Sequence, residues 1–125
     1  MNLNQVTLPA RNIPESVAFY KKLGLIQITD ADHYARFECP DGDSTFSVHV
    51  AQESALGGMA VVYFEHEDLD AFCEELQGKG LEFLQLPRDE QWLWREARLK
   101  DPSGNTICLY WAGENRKDPH WRINR

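Results

Sequence analysis

One stretch of this chain is written twice. Ala18-Phe19-Tyr20-Lys21-Lys22-Leu23, followed by Gly24-Leu25, returns fifty-three residues later as Ala71-Phe72-Cys73-Glu74-Glu75-Leu76, with Gly80-Leu81 a few residues beyond. A period near half of a 125-residue chain restricts the fold to two copies of one supersecondary unit. Each copy reads as an amphipathic helix. In the first, Pro14 suits the first helical position, Val17, Tyr20 and Leu23 recur at helical spacing, and Gly24 suits a left-handed cap. In the second, Asp68 is placed to cap the N-terminus, Leu69, Phe72, Cys73 and Leu76 make the apolar stripe, and Gly80 ends it.

Both helices sit between β-forming runs, Gln5 to Leu8 and Leu25 to Thr29 around the first, Ala60 to Glu65 and Leu81 to Gln85 around the second. Hairpins follow. Tyr34 to Glu38 and Thr45 to Val50 flank the turn Pro40-Asp41-Gly42-Asp43, and Trp94 to Lys100 and Thr106 to Tyr110 flank Pro102-Ser103-Gly104-Asn105. Each half is thus β-α-β-β-β, an α+β chain of one domain: module one 1–56, module two 57–113, and a C-terminal arm 114–125. Leu86 to Gln91, with Pro87 and several charged or amide side chains, reads as a surface loop.

Composition narrows the function classes. A hydrophobic content of 42% supports a core, and the longest apolar run, Met59 to Phe64, is far shorter than the roughly 20 residues of a membrane span. The first residues, Met-Asn-Leu-Asn-Gln, lack the basic start and apolar stretch of a signal peptide, so the expected location is the cytoplasm. Cys39, Cys73 and Cys108 are odd in number and widely spaced, which suggests reduced thiols rather than a disulfide framework. A net charge of −7 argues against nucleic-acid partners, whose phosphates call for lysine and arginine. The arm runs against that balance, with Arg116, Lys117, Arg122 and Arg125 outnumbering Glu114 and Asp118.

The duplicated unit, with Ser16-Val17-Ala18-Phe19-Tyr20, Leu23-Gly24-Leu25, Glu67-Asp68-Leu69-Asp70-Ala71 and Asp101-Pro102-Ser103-Gly104-Asn105, resembles the vicinal-oxygen-chelate superfamily, which holds glyoxalases, bleomycin-resistance proteins and extradiol dioxygenases. The resemblance implies two βαβββ modules forming an open, curved mixed sheet, as half-barrels with helices on the convex side and a ligand cavity on the concave face. It also implies a homodimer and a small organic ligand. In metal-dependent relatives, one inward residue from the first and last strand of each unit holds a divalent ion. Matching motifs puts Gln5, His49, Val61 and Cys108 at those positions, and assigns His49 and Cys108 to matching places in the two units. Only His49 is an ordinary ligand, and Val61 has no donor, so the expectation is no metal cofactor. A shift of register by two would bring Tyr63, Glu65 or Glu96 forward, giving His49, Gln5, Glu65 and Glu96 as the alternative metal set. His49 is otherwise a hydrogen-bonded histidine of a polar cavity, and Cys108 a buried filler or, with His49 near, a nucleophile.

Period-two alternation assigns the faces. Phe46, Val48, Val50, Ile107 and Leu109 point to the helices, while Ser47, His49, Thr106, Cys108 and Tyr110 point inward. Trp94, Glu96 and Arg98 join them from the seventh strand and Val61, Tyr63 and Glu65 from the fifth. Gln5, His49, Val61, Tyr63, Trp94, Glu96, Arg98, Cys108 and Tyr110 are therefore the expected ligand-binding set. The bland reading makes Trp94 a core or interface seal instead. The expected function is a metal-free protein that sequesters a small molecule. The alternatives are a metal-dependent lyase, isomerase or dioxygenase, and a structural dimer without a ligand. Whether the chain is an enzyme stays open at this point.

Overall fold

In a computed structural model, which describes residues 1–124, the element order is β-α-β-β-β written twice. The first copy holds β1 (Gln5–Ala10), α1 (Ile13–Leu23), β2 (Ile26–Ala31), β3 (Tyr34–Glu38) and β4 (Thr45–Val50). The second holds β5 (Val61–Glu65), α2 (Leu69–Gly78), β6 (Gln85–Asp89), β7 (Arg95–Lys100) and β8 (Thr106–Trp111). Each copy makes an open, mixed four-stranded sheet, ordered β1-β4-β3-β2 and β5-β8-β7-β6. The first pair in each is parallel and the others antiparallel. Among the described residues, no helix is long and apolar enough to cross a membrane.

The chain divides into two compact units, residues 1–60 with 101–105, and 61–100 with 106–124. This differs from a division after residue 56 in one instructive way. The turn Asp101–Asn105 comes from the second copy of the motif and packs in the first unit. The buried Tyr20 hydroxyl donates to Asp101 Oδ2 at 2.6 Å, Asn105 Nδ2 donates to the Pro9 carbonyl at 2.8 Å, and the Arg11 N–H donates to Ser103 Oγ at 2.9 Å.

In the first unit, the Asn12 side chain caps α1 by accepting from the Glu15 N–H at 2.9 Å, and helix begins at Ile13, one residue before Pro14. Gly24 closes it at φ 111°, where the Leu25 N–H reaches back to the Tyr20 carbonyl. Ile13, Phe19, Tyr20 and Leu23 face the sheet. There the Tyr20 ring meets Phe46 at 4.5 Å and Phe37 at 5.9 Å between centroids. Phe46 and Val48 are buried as alternation requires, but Val50, at the strand's end, is exposed.

In the second unit α2 buries Leu69, Cys73 and Leu76. The expected cap does not form, because the Asp68 side chain makes no capping hydrogen bond; its N–H instead donates to His66 Nδ1 at 3.0 Å. The sequence also misplaces the next strand. Leu81 to Gln85 is mostly irregular, and β6 occupies the run read as a surface loop. Pro87 reads as a loop residue, yet β6 is an edge strand whose register slips between Gln85 and Arg88, which is where a sheet tolerates a residue without an N–H.

Candidate functional site

In the second unit, ladder register decides which side chains share a face. Tyr63 pairs with Cys108 and Cys108 with Arg98; Glu65 pairs with Tyr110 and Tyr110 with Glu96. The opposite face belongs to the helix side, where Ala97, Leu99, Ile107 and Leu109 are fully buried and Arg95 binds Asp70 of α2. A cleft of about 160 Å³ on that side, lined by Asp70, Cys73 and Arg95 among others, contains none of the expected site residues.

On the first of these faces the aromatic rings assemble. Trp94 stacks on Tyr110 at 4.8 Å and 22°, and Tyr63 meets both edge-on, at 5.9 and 5.5 Å. The Trp94 Nε1–H donates to the Asn115 carbonyl at 3.2 Å, which fixes the indole plane. Val61 and Trp94 pack on Cys108, Tyr110 and Ala112. Beside the rings lies a buried carboxylate. Glu96 is only 1% exposed; its Oε1 accepts from Arg98 Nη2 at 3.0 Å and its Oε2 from Trp92 Nε1 at 2.7 Å, and the Cys108 thiol points at Oε1 from 3.6 Å. Burial disfavours the Arg98 charge, but hydrogen bonds to Glu96 and Tyr63 outweigh it and the guanidinium is held more firmly protonated. Burial and the Glu96 charge push the Cys108 thiol up to about 12. Such a thiol is not a nucleophile near neutral pH.

The first unit's corresponding face is a chain of hydrogen bonds without a carboxylate. Gln5 Nε2 donates to Ser47 Oγ at 2.8 Å and Gln5 Oε1 accepts from Thr45, while Ser47 meets the Tyr34 hydroxyl at 2.6 Å and Arg36 Nε donates to that hydroxyl at 2.9 Å. The Ser47 bond, supported by Arg36, draws the Tyr34 phenol below its ordinary value. His49 is exposed, with Nδ1 2.8 Å from the Val50 carbonyl and its ring near His33 and Tyr34.

Both β-α-β-β-β order and these faces agree with a single family, and a sequence match decides it: the family model described as Glyoxalase/Bleomycin resistance protein/Dioxygenase superfamily matches residues 2–109. The chain belongs to that superfamily. It is 28% identical over 109 residues to an uncharacterized protein of Mycolicibacterium smegmatis, covering 86% of this chain and 91% of the relative. Its fold is found in solved structures, among them these two. An antibiotic-binding protein from Streptomyces has TM-score 0.77 at 20% identity, covering 90% of this chain and 96% of its own. A lactoylglutathione lyase from Agrobacterium tumefaciens has TM-score 0.75 at 16% identity, covering 98% and 97%.

Superfamily membership raises the question of a divalent ion, and the donors can be tested one by one. Matching the two ladders corrects the equivalence drawn from motifs. Gln5 pairs with Thr45 as Val61 pairs with Thr106, so Ser47 corresponds to Cys108 and His49 to Tyr110. His49 and Cys108 are therefore not equivalent; they stand two residues apart. The offset is fifty-six at the first strands (Gln5 to Val61) and the helix caps (Asn12 to Asp68) but sixty-one between β4 and β8 (Thr45 to Thr106), because the connecting loops differ in length. The amide oxygen of Gln5 is taken by Thr45, Val61 has no donor, and Cys108 holds its proton. The shifted set fares no better. Glu65 Oε2 caps the N–H groups of Ala112 and Gly113 at 3.0 and 3.1 Å with Arg116 4.0 Å from its other oxygen, and both Glu96 oxygens are engaged. Within either unit, no three His, Cys, Asp or Glu among the described residues form a group that could hold a metal ion. Within each unit, the oxygen donors of Gln5, Glu65 and Glu96 are thus engaged in hydrogen bonds or ion pairs of the protein itself.

Sequence reasoning named Tyr63, Trp94, Glu96, Arg98, Cys108 and Tyr110, which the second unit brings together, and Gln5 and His49, which lie in the first. It missed Tyr34 and Arg36. A signal was present, since Tyr34-Ala35-Arg36-Phe37 and Glu96-Ala97-Arg98-Leu99 repeat one pattern, with both alanines fully buried.

Proposed function

We propose that this protein is a binding protein which sequesters a small organic molecule on the aromatic face of its second unit, without a metal. The observation that carries the reading is the joint arrangement of Trp94, Tyr110 and Tyr63 beside a guanidinium and an indole, both held by one buried carboxylate. Such a face offers stacking surface with a few fixed polar groups, the usual make-up of a ligand site. The antibiotic-binding relative supports the same reading, and the engaged state of Gln5, Glu65 and Glu96 disfavours the lyase chemistry that the other relative's name suggests. The working form in this proposal is a cytoplasmic homodimer, supported by the exposed Trp111, Trp121 and Ile123 at the C-terminal end.

The test combines elemental analysis with ligand titration. Protein expressed with nickel, zinc, iron and manganese supplied should carry far less than one ion per chain, and its tryptophan fluorescence should respond saturably to aromatic compounds before and after chelation. One tightly held divalent ion per chain, together with an activity abolished by chelation, overturns the proposal.

A further inference from the structure

We infer that the molecule bound on this face is a flat aromatic anion, and that Arg98 receives its negative charge. The inference rests on the proposed binding function and adds the ligand's charge to it.

Glu96 and Arg98 form the face's ion pair, and only one of them has anything left to offer. Glu96 is 1% exposed and both of its oxygens already accept hydrogen bonds, so a cationic ligand would have to displace Arg98 or Trp92 to reach it. Arg98 is different. A guanidinium has five N–H donors and no acceptor. Nη2 alone is used, toward Glu96 at 3.0 Å and the Tyr63 hydroxyl at 3.5 Å. Nε and Nη1 have no acceptor among the described residues, and the side chain keeps 30% exposure. Glu96 thus orients the guanidinium from below and leaves a planar array of donors facing outward, suited to a carboxylate or sulfonate.

Two exposed rings flank that array. Tyr63 is tied to Arg98 through its hydroxyl, and Trp92 is tied to Glu96 through its indole N–H; the two side chains keep 43% and 44% exposure. Trp92 sits in the β6–β7 turn, where Leu93 adopts φ 68° and the Glu90 N–H bonds the Trp94 carbonyl at 2.8 Å. A leucine in the left-handed region is strained, and strain of this kind persists where the surroundings fix a side chain. Flat apolar walls beside an outward guanidinium select an aromatic ring bearing an anionic substituent.

The body charge of −7 sharpens the test, because nonspecific attraction would favour cations. At physiological ionic strength that field is screened over about 8 Å, leaving the local donors to decide. The full-length protein is titrated with 1-anilinonaphthalene-8-sulfonate and with its uncharged parent, N-phenyl-1-naphthylamine, in 0.15 M salt. The sulfonate should bind at least about tenfold more tightly. Arg98→Gln should abolish that gap, bringing the two probes to equal affinity, and Lys21→Gln, on the exposed side of α1, should alter binding of neither. Should Arg98→Gln not fold, displacement of the sulfonate from the wild-type protein by 2-naphthoate but not by 2-naphthamide carries the same test. Equal binding of the two probes, or a gap that survives Arg98→Gln, overturns the anion inference and leaves the binding function standing. If neither probe saturates, the binding function itself falls.

Discussion

Tyr20→Phe removes one oxygen from the middle of the first unit and nothing else. The ring keeps its contacts with Phe19, Phe37 and Phe46, so no cavity larger than a hydroxyl is made. What is lost is the 2.6 Å hydrogen bond to Asp101 Oδ2, short enough to be charge-assisted. Asp101 keeps three donors, the N–H groups of Ser103 and Asn105 at 2.9 Å and Asn105 Nδ2 at 2.8 Å, so the carboxylate is weakened rather than orphaned. A hydrogen bond to a charged acceptor contributes about 1.5–3 kcal/mol, so the variant should lose about 2 kcal/mol, or roughly 8 °C in Tm for a domain of this size. The assay is thermal unfolding followed by far-UV circular dichroism. A pH series adds an independent check. Burial, and then the Asp101 charge, hold the Tyr20 phenol above its ordinary value of 10. The unfolded chain therefore ionises first, and the stabilising contribution is whole below pH 10 and declines above it. The gap between wild type and Tyr20→Phe should then be constant near neutrality and shrink as pH rises beyond 10. A loss under about 2 °C, or a gap that widens with pH, refutes this account of the Asp101 turn.

Three further outcomes follow from the same reasoning. Burial pushes Cys73 up to about 11 and Cys108 to about 12, so a colorimetric thiol assay on native protein at pH 8 should count at most Cys39, and all three cysteines after denaturation; two fast native thiols would contradict the burial described. Leu93→Gly relieves a left-handed residue that is half exposed, and should raise stability by about 1 kcal/mol in chemical denaturation; a clear loss would mean that packing of the leucine outweighs the backbone strain. Truncation after Gly113 keeps both backbone groups that bind Glu65 but removes Trp121 and Ile123, and should lower the solution mass from dimer to monomer by light scattering; an unchanged mass would refute a dimer built on the arm. Of the arm's basic residues, Arg125 lies outside the described residues.

The fold was legible where a local rule had no competitor. Helix α1 followed from a stripe, a proline and a glycine that takes φ 111° as its position demands, and β3 and β4 lie between the residues their alternation suggested. Strand β6 was not legible, because Pro87 argues against a strand unless the strand is at an edge, and edge status is a property of the assembled sheet. The candidate face shows the same divide. Alternation alone put Glu96 and Arg98 on one side, but nothing local says that Trp92, four residues before Glu96, turns its indole N–H onto that carboxylate. Asp68 does stand at the start of α2 as its sequence position suggested, but its side chain makes no capping hydrogen bond there.

The two units share one pattern of elements, and the positions where they differ carry the functional argument. Ser47 on β4 corresponds to Cys108 on β8, Thr7 on β1 to Tyr63 on β5, and Tyr34 on β3 to Glu96 on β7, while Arg36 and Arg98 are of the same type. With small hydroxyl and amide groups around it, Arg36 rests on Tyr34 and remains exposed. With a carboxylate at its side and aromatic rings around it, Arg98 is partly buried yet still charged. A buried carboxylate needs a permanent partner, and Glu96 is committed to Arg98 on one oxygen and to Trp92 on the other. The same commitment gives Arg98 a fixed orientation, which a binding protein needs and a free surface arginine lacks.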